Sequence, residues 1–162
     1  MNIYKNFLSK KEFKQLEDRI MGDNMPWYYN NAVVQTADDH FQLVYAFVFP
    51  GGKINCEDFM MDLLKPFVKK LNIKNFFKVK ANLLTKTNKI IEHGMHIDAD
   101  NHTKGKTGIF YLNTCNGYTK LKDGTKIKSE KNKYLEFDCN LKHTGSSCTD
   151  KKRRVVINFN YV

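Results

Sequence analysis

Short runs in which apolar and polar residues alternate fill most of the chain after about residue 75, and they limit the fold more than any other sequence feature. Side chains two positions apart share one face of a β-strand, so such alternation predicts strands that bury one face. Turn residues separate the runs, and Asp123-Gly124 predicts the turn of a hairpin. The predicted β-segments are residues 77–83, 106–113, 118–129, 134–137 and 155–162.

The front of the chain predicts helices. Ser9-Lys10-Lys11-Glu12 has the form of a capping box, and Phe13, Leu16 and Ile20 follow at helical spacing before Gly22. A second helix is predicted to begin at Asn55, a suitable cap, and to continue along an apolar stripe.

Two features modify this front half. Pro66 should bend or interrupt the second helix, because proline removes a backbone donor and clashes with the preceding turn. The aromatic segment Met25–Tyr29 is interpreted as a plug at one end of a core, with a stacking platform for bases as the alternative. Between the helices, residues 40–49 predict a strand with one apolar face: Phe41, Leu43, Tyr45, Phe47 and Phe49.

A chain of 162 residues is long enough for one domain with a sizeable core. We therefore interpret residues 1–162 as one domain, with a mixed front half over 1–74 and a β core over 75–162. Two helices followed by a series of short strands predict a mainly β, α+β fold, in which the helices cover the sheet of a barrel or jelly roll.

The charge of the chain favours acidic partners. Lys and Arg number 27 against 17 Asp and Glu, a formal net charge of +10, so nucleic acid stays open as a partner. Alternating lysines on the predicted hairpin are interpreted as its solvated face, with a nucleic-acid groove as the alternative. These lysines are Lys120, Lys122, Lys126 and Lys128.

The cysteines and the hydropathy pattern predict a soluble, cytoplasmic protein. No CxxC pair occurs and the N-terminus lacks a secretory pattern, so neither a disulfide framework nor a zinc site is expected. The longest apolar run, Leu43–Phe49, is far shorter than a membrane span. The four cysteines are Cys56, Cys115, Cys139 and Cys148.

Three polar residues have the types required for a metal centre. His96 and Asp98 lie two positions apart, so on a strand they would point the same way. A second imidazole, from His143, would complete the two-His, one-carboxylate set that holds non-haem Fe(II) with open coordination positions. The sequence therefore predicts that these residues form a catalytic metal site.

Other residues could supply the ligands if the register differed. His93 would lie on the opposite strand face from His96, and Asp100 and His102 lie in a polar turn. We interpret these three as groups behind the ligands or in solvent.

Two adjacent arginines begin the last predicted strand. Only three of the 27 basic residues are arginines, Arg19, Arg153 and Arg154, and the guanidinium fork matches a carboxylate bidentately. We assign the inward position to Arg154, because the apolar strand follows it directly, and keep Arg153 as the alternative. The run Lys151–Arg154 could also be a phosphate-binding patch.

These residues occur in a recognisable order along the chain. The ordered set is His96, Asp98, the segment Thr107–Asn113, Gly117, Asp123-Gly124, His143 and Arg154. In this order the chain resembles the Fe(II)/2-oxoglutarate-dependent dioxygenases, and within them the prolyl-hydroxylase-like branch, which includes small phage-encoded members. The resemblance covers the chain from about Asn75 onward, and the front half more loosely.

The resemblance implies a fold and a ligand set. The fold is a double-stranded β-helix, a jelly roll whose mouth holds iron bound by His96, Asp98 and His143. Arg154 would bind the far carboxylate of 2-oxoglutarate, and Tyr111 would form a hydrogen bond with the same group.

Two further positions are assigned to the cosubstrate by the resemblance. Thr107 is placed in its pocket. Many relatives have a tyrosine near Leu84, so that contact is either missing here or supplied by another group such as Asn82.

The implied activity couples oxidative decarboxylation of 2-oxoglutarate to succinate with hydroxylation of a prolyl or other residue in a polypeptide. It requires Fe(II), 2-oxoglutarate and O2, and it admits ascorbate as a stimulant. The alternatives are a nucleic-acid oxidative demethylase on the same fold and a metal-binding jelly roll without catalysis. Loops near Asn101–Lys106 and in the front half are expected to select the substrate.

Overall fold

The computed structural model describes residues 1–34, 39–98 and 104–162. Antiparallel strands form most of the regular structure in these ranges. In chain order the elements are β1 (Asn2–Tyr4), α1 (Lys10–Met21), β2 (Tyr28–Asn30), β3 (Gln42–Phe49), β4 (Lys53–Ile54), α2 (Asp58–Asp62), α3 (Lys65–Leu71), β5 (Phe76–Thr85), β6 (Lys106–Tyr111), β7 (Tyr118–Leu121), β8 (Lys126–Lys128), β9 (Lys133–Asp138), β10 (His143–Gly145) and β11 (Arg153–Tyr161).

The strands form two sheets that face each other. The large sheet has the order β1–β9–β6–β11–β5–β3–β2, with β4 paired to β3, and the small sheet has the order β10–β7–β8. Apolar side chains from both sheets, including Tyr111, Leu121 and Val156, form a core between them. The predicted fold, mainly β with a jelly-roll arrangement and helices on the sheet, is confirmed.

Strand β11 lies in the middle of the large sheet and uses both of its faces. Val155, Ile157 and Phe159 belong to the apolar core beneath the helices. The alternate residues Arg154 and Val156 line a cavity on the opposite face, between the sheets.

The helices form where the sequence predicts them. Ser9 and Glu12 make both hydrogen bonds of the capping box at the start of α1. The second predicted helix is divided into α2 and α3, and Pro66 stands in the first turn of α3, as expected for a residue that interrupts a helix. None of the helices in the described ranges is long and apolar enough to cross a membrane.

Three details of the front half differ from the predictions. Asn55 does not cap α2, because the N-cap of that helix is Glu57. The side-chain amide of Asn55 donates to the carbonyl of Ala46 instead. The segment Met25–Tyr29 only partly plugs the core, because Met25 is buried while Tyr28 and Tyr29 lie exposed on edge strand β2.

The alternation in β3 is also broken. A register shift against β5 between Ala46 and Val48 buries both Phe47 and Val48, so Phe49 after it is exposed. Phe41, at the other end of the predicted apolar face, precedes β3 and is also exposed.

Gly108 permits a close contact inside the large sheet. A Cβ at this position would come within 1.7 Å of the Tyr134 hydroxyl, which lies on neighbouring strand β9. That hydroxyl donates a hydrogen bond to Tyr161. The glycine of the Thr107–Asn113 segment therefore makes room for a buried tyrosine pair.

Phe67 joins α3 to the large sheet. Its ring is fully buried and contacts those of Phe7, Phe110 and Phe159, with centroid separations of 5.5, 5.0 and 4.6 Å. We expect Phe67→Ala to lower the free energy of unfolding by about 3–5 kcal/mol, because it leaves a cavity in this cluster. Urea unfolding measures the loss.

Phe59 on α2 provides the matched control, because its side chain is half exposed. Phe59→Ala should change the free energy of unfolding by no more than about 1 kcal/mol. Equal losses in the two variants would contradict the assignment of Phe67 to the core.

Candidate active site

The predicted metal ligands converge at one end of the cavity between the sheets. The ligand atoms of His96, Asp98 and His143 all lie within 4.8 Å of one another. His96 Nε2 is 3.7 Å from Asp98 Oδ1, and His143 Nε2 is 3.6 Å from Asp98 Oδ2. The two imidazoles therefore point at the same carboxylate from two different segments of the chain.

The backbone that brings them together differs from the prediction. His96 and Asp98 do not lie on a regular strand; His96 forms an isolated bridge with His143, in which each backbone N–H donates to the other residue's carbonyl at 2.9 Å. The strand geometry considered for this pair does not occur, but the two-residue spacing still directs both side chains to one point.

Hydrogen bonds to the backbone orient both imidazoles. Nδ1 of His96 lies 3.1 Å from the carbonyl oxygen of Gly94, and Nδ1 of His143 lies 3.1 Å from that of Leu141. A carbonyl can only accept, so in the neutral rings the proton belongs on Nδ1 and the lone pair on Nε2. Both lone pairs then face the Asp98 carboxylate, an arrangement that suits a shared cation.

The charge states at this point suit metal binding. Burial lowers the pKa of His143, which favours the neutral, ligating form. Burial by itself would raise the pKa of Asp98, but Lys78 and the two imidazoles together outweigh it and keep the pKa below its ordinary value. The Lys78 amine lies 3.7 Å from Asp98 Oδ1.

Asn160 supports the carboxylate and was missed in the sequence. Its side-chain amide donates to Asp98 Oδ2 at 3.3 Å and to Thr107 Oγ1 at 3.0 Å. Thr107 therefore lies behind Asp98, joined to it through Asn160, rather than among the residues that line the cavity. The alternation that runs from Arg154 through Asn158, continued by one step, could have identified Asn160.

Arg154 lies inside the cavity and is almost fully buried. Its Nε donates to Ser129 Oγ at 2.7 Å and its Nη2 to Thr119 Oγ1 at 3.3 Å. Within the described residues these are its hydrogen bonds, so the remaining guanidinium N–H groups could bind an anion. Thr119 lies on β7 and Ser129 directly follows β8. No sequence pattern marks either residue, so their role in positioning Arg154 was not predicted.

Tyr111 supports Arg154 from the side. The guanidinium carbon lies 5.7 Å from the centre of the Tyr111 ring, and the hydroxyl donates to Thr119 at 2.8 Å. Burial raises the pKa of Tyr111 to about 12, so this hydroxyl stays a donor. The Tyr111 hydroxyl thus bonds Thr119. Of these two residues, Thr119 lines the cavity and Tyr111 does not.

Arg153 points away from the cavity. Its guanidinium donates to the carbonyl of Met21 at the end of α1, at 2.6 Å. Gly117 explains why Arg154 can lie where it does, because a Cβ there would approach the Arg154 side chain at Cδ to 2.7 Å.

The remaining predicted positions divide between the cavity and its surroundings. Asn82 and Leu84 both line it, and among the described residues Asn82 Oδ1 is buried without a hydrogen-bond partner. His93 is buried against the ring of His40, away from the three ligands. Asp100 and His102, like residues 101–103 of the predicted selectivity loop at residues 101–106, lie outside the described residues.

Glu92 ties the segment that leads to His96 to the small sheet. Its carboxylate binds the amines of Lys120 and Lys126 at 2.7 and 3.0 Å and accepts from the Tyr118 hydroxyl. Hydrogen bonds from Lys120, Tyr118 and Lys126 lower the pKa of Glu92 to about 2. Two lysines of the predicted solvated face are thus paired with a carboxylate.

The structure also brings two thiols together, which the sequence analysis did not predict. All four cysteines are free, and the ligand atoms of Cys115, Cys148 and Asp150 lie within 4.8 Å of one another, near Arg154. Burial, together with Cys115, raises the pKa of Cys148 to about 11, so it is a thiol at neutral pH.

The comparisons with known proteins identify the fold. No family model matches the sequence, and no curated protein does. A 2OG-Fe(II) oxygenase family protein of Burkholderia pseudomallei is similar in structure, with a TM-score of 0.71 and 16% identity over 97% of this chain and 82% of that one.

Two prolyl hydroxylases are also similar. The enzyme of Trichoplax adhaerens, solved with a peptide fragment of the hypoxia inducible factor oxygen degradation domain, has a TM-score of 0.72 and 15% identity over 99% of this chain and 82% of that one. A prolyl-4-hydroxylase of Pseudomonas putida has a TM-score of 0.62 and 13% identity over 99% and 91% of the two chains. The fold is therefore that of the 2OG-Fe(II) oxygenases, a double-stranded β-helix, as the resemblance implied.

We expect His143→Ala to weaken Fe(II) binding by at least about 100-fold. Loss of a residue that only hydrogen-bonds a metal ligand already weakens metal binding by about 10–100-fold, and loss of a ligand itself should cost at least as much. Anaerobic calorimetry with Fe(II), or with Co(II) as a stable substitute, measures the affinity. His40→Ala, which removes an imidazole outside the three-ligand group, should bind normally. Unchanged affinity in His143→Ala would remove His143 from the site.

Proposed function

We propose that this protein is an Fe(II)- and 2-oxoglutarate-dependent dioxygenase, with His96, Asp98 and His143 as the metal ligands. The observation that carries the proposal is the presence, in one cavity, of two Nε2 lone pairs aimed at a carboxylate and of a buried arginine with unused donors. The first group fits a ferrous ion and leaves coordination positions open. The second fits a carboxylate.

The chemistry would come from the bound groups. Iron, 2-oxoglutarate and O2 would supply oxidative decarboxylation to succinate coupled to hydroxylation of a substrate. The protein's own residues bind, orient and exclude water. Ser129 and Thr119 hold the Arg154 side chain so that its free N–H groups can grip the far carboxylate, and Asn160 holds the Asp98 carboxylate.

The substrate we propose is a prolyl or similar residue in a polypeptide. The structural likeness to two prolyl hydroxylases, one of them solved with a peptide, supports this class. The net charge of +10 favours a polyanion, so a nucleic-acid demethylase is the second candidate. The pairing of Lys120 and Lys126 with Glu92 weakens that reading, because the carboxylate neutralises part of the positive charge of this surface.

Turnover separates the two candidates. We expect a proline-containing peptide to stimulate succinate formation and to gain one oxygen atom by mass spectrometry, at both low and high salt. Methylated oligonucleotides should bind at low salt without stimulating turnover. Formaldehyde release from them, with no hydroxylation across a broad peptide panel, would instead establish the demethylase.

The cosubstrate assignment has its own test. Arg154→Leu should raise the 2-oxoglutarate concentration required for half-maximal turnover by well over about tenfold, since a charge-assisted hydrogen bond contributes about 1.5–3 kcal/mol. Arg153→Leu is the matched control, because that side chain bonds Met21 outside the cavity. If only the Arg153 variant showed the defect, the assignment of Arg154 would be wrong.

A further inference from the structure

A line of side chains on strand β5 runs along the cavity wall. Lys78, Lys80, Asn82 and Leu84 alternate along the strand, and all four line the cavity. Successive members of such a line are about 7 Å apart. The line connects the metal ligands to Arg154, because Lys78 contacts Asp98 at one end and Leu84 is paired across the sheet with Arg154 at the other.

Lys80 therefore lies between the two groups that define the proposed site. Its partner across the sheet on β11 is Asn158, which also lines the cavity. Lys80 thus lies on one wall of the cavity that a ligand between the metal ligands and Arg154 would occupy.

The amine of Lys80 is a cation without a bonded counter-charge. Of the other two cations in the cavity, Lys78 forms an ion pair with Asp98, and Arg154 forms hydrogen bonds with the neutral hydroxyls of Ser129 and Thr119. Within residues 1–34, 39–98 and 104–162, the Lys80 amine has neither a hydrogen bond nor a salt bridge. A partly buried ammonium in this condition is stabilised by any anion that enters.

The cavity as a whole favours an anion with two charges. Its charged residues within the described ranges are three cations, Lys78, Lys80 and Arg154, and one carboxylate, Asp98. A divalent metal ion bound to Asp98 would increase the positive excess. Two carboxylates, one at each end of a short chain, would match the separate positions of Lys80 and Arg154.

We propose that Lys80 binds the carboxylate next to the keto group of 2-oxoglutarate while Arg154 binds the far carboxylate. This inference rests on the proposed function and adds a second recognition residue to it. Lys80 then makes the site selective for a carboxylate held close to the metal, and Arg154 makes it selective for a second carboxylate at the far end of the ligand.

A pair of ligands separates the two roles. 2-Oxoglutarate carries both carboxylates, and 2-oxoglutaramate keeps the keto acid but has an amide in place of the far carboxylate. Their affinities for the Mn(II)-loaded protein are measured by anaerobic calorimetry, which needs no turnover. The variants are Lys80→Met, Lys80→Arg and Arg154→Leu, with Lys128→Met, a change at an exposed lysine of β8, as control.

Lys80→Met should weaken the binding of both ligands by the same factor, at least about tenfold, because both keep the carboxylate that it binds. Lys80→Arg should restore most of the affinity. Arg154→Leu should weaken 2-oxoglutarate but leave 2-oxoglutaramate nearly unchanged. Lys128→Met should bind both ligands as the unmodified protein does, and all variants should keep their affinity for Mn(II).

Three results would overturn the inference. Unchanged 2-oxoglutarate affinity in Lys80→Met would show that Lys80 does not bind the cosubstrate. A loss confined to 2-oxoglutarate would place Lys80 at the far carboxylate instead. Failure of the unmodified, Mn(II)-loaded protein to bind either ligand would reject the proposed function together with the inference, whereas the first two results leave the proposed function intact.

Discussion

The alternation of side chains along β11 is the constraint on which the site and the core both depend. This strand lies between β5 and β6. One of its faces packs in the core beneath the helices, and the other lines the cavity. Val155, Ile157 and Phe159 fill the core, while Arg154 lines the cavity and Asn160 contacts Asp98. A slip of one residue would bury the polar set under the helices, so stability and site geometry select the same register.

The candidate metal ligands come from segments that only the folded chain brings together. His96 and Asp98 lie between β5 and β6, His143 lies on the small sheet, and a single bridge of two hydrogen bonds joins them. Since the unfolded chain holds no such cluster, an ion that binds it would stabilise the native state by an amount that grows with the logarithm of its affinity.

The sequence predicted elements whose signals are local, such as the Ser9 capping box, the break at Pro66 and the hairpin turn at Asp123-Gly124. It also predicted the convergence of His96, Asp98 and His143. It could not predict the bulge in β3 or the two-residue strand β4, since these depend on pairing with distant strands. Thr119 and Ser129 were missed for a similar reason: a hydroxyl that positions Arg154 is indistinguishable in sequence from any buried hydroxyl.

The central place of β11 also affects how the protein can fold while it is being made. Synthesis delivers β5 and β6 first, and each then has an unpaired edge where β11 will later insert. Until residues 153–161 have left the ribosome, the large sheet consists of two separate parts with apolar, hydrogen-bonding borders. Such borders are templates for pairing with other strands, so the emerging chain is most exposed to aggregation during this interval.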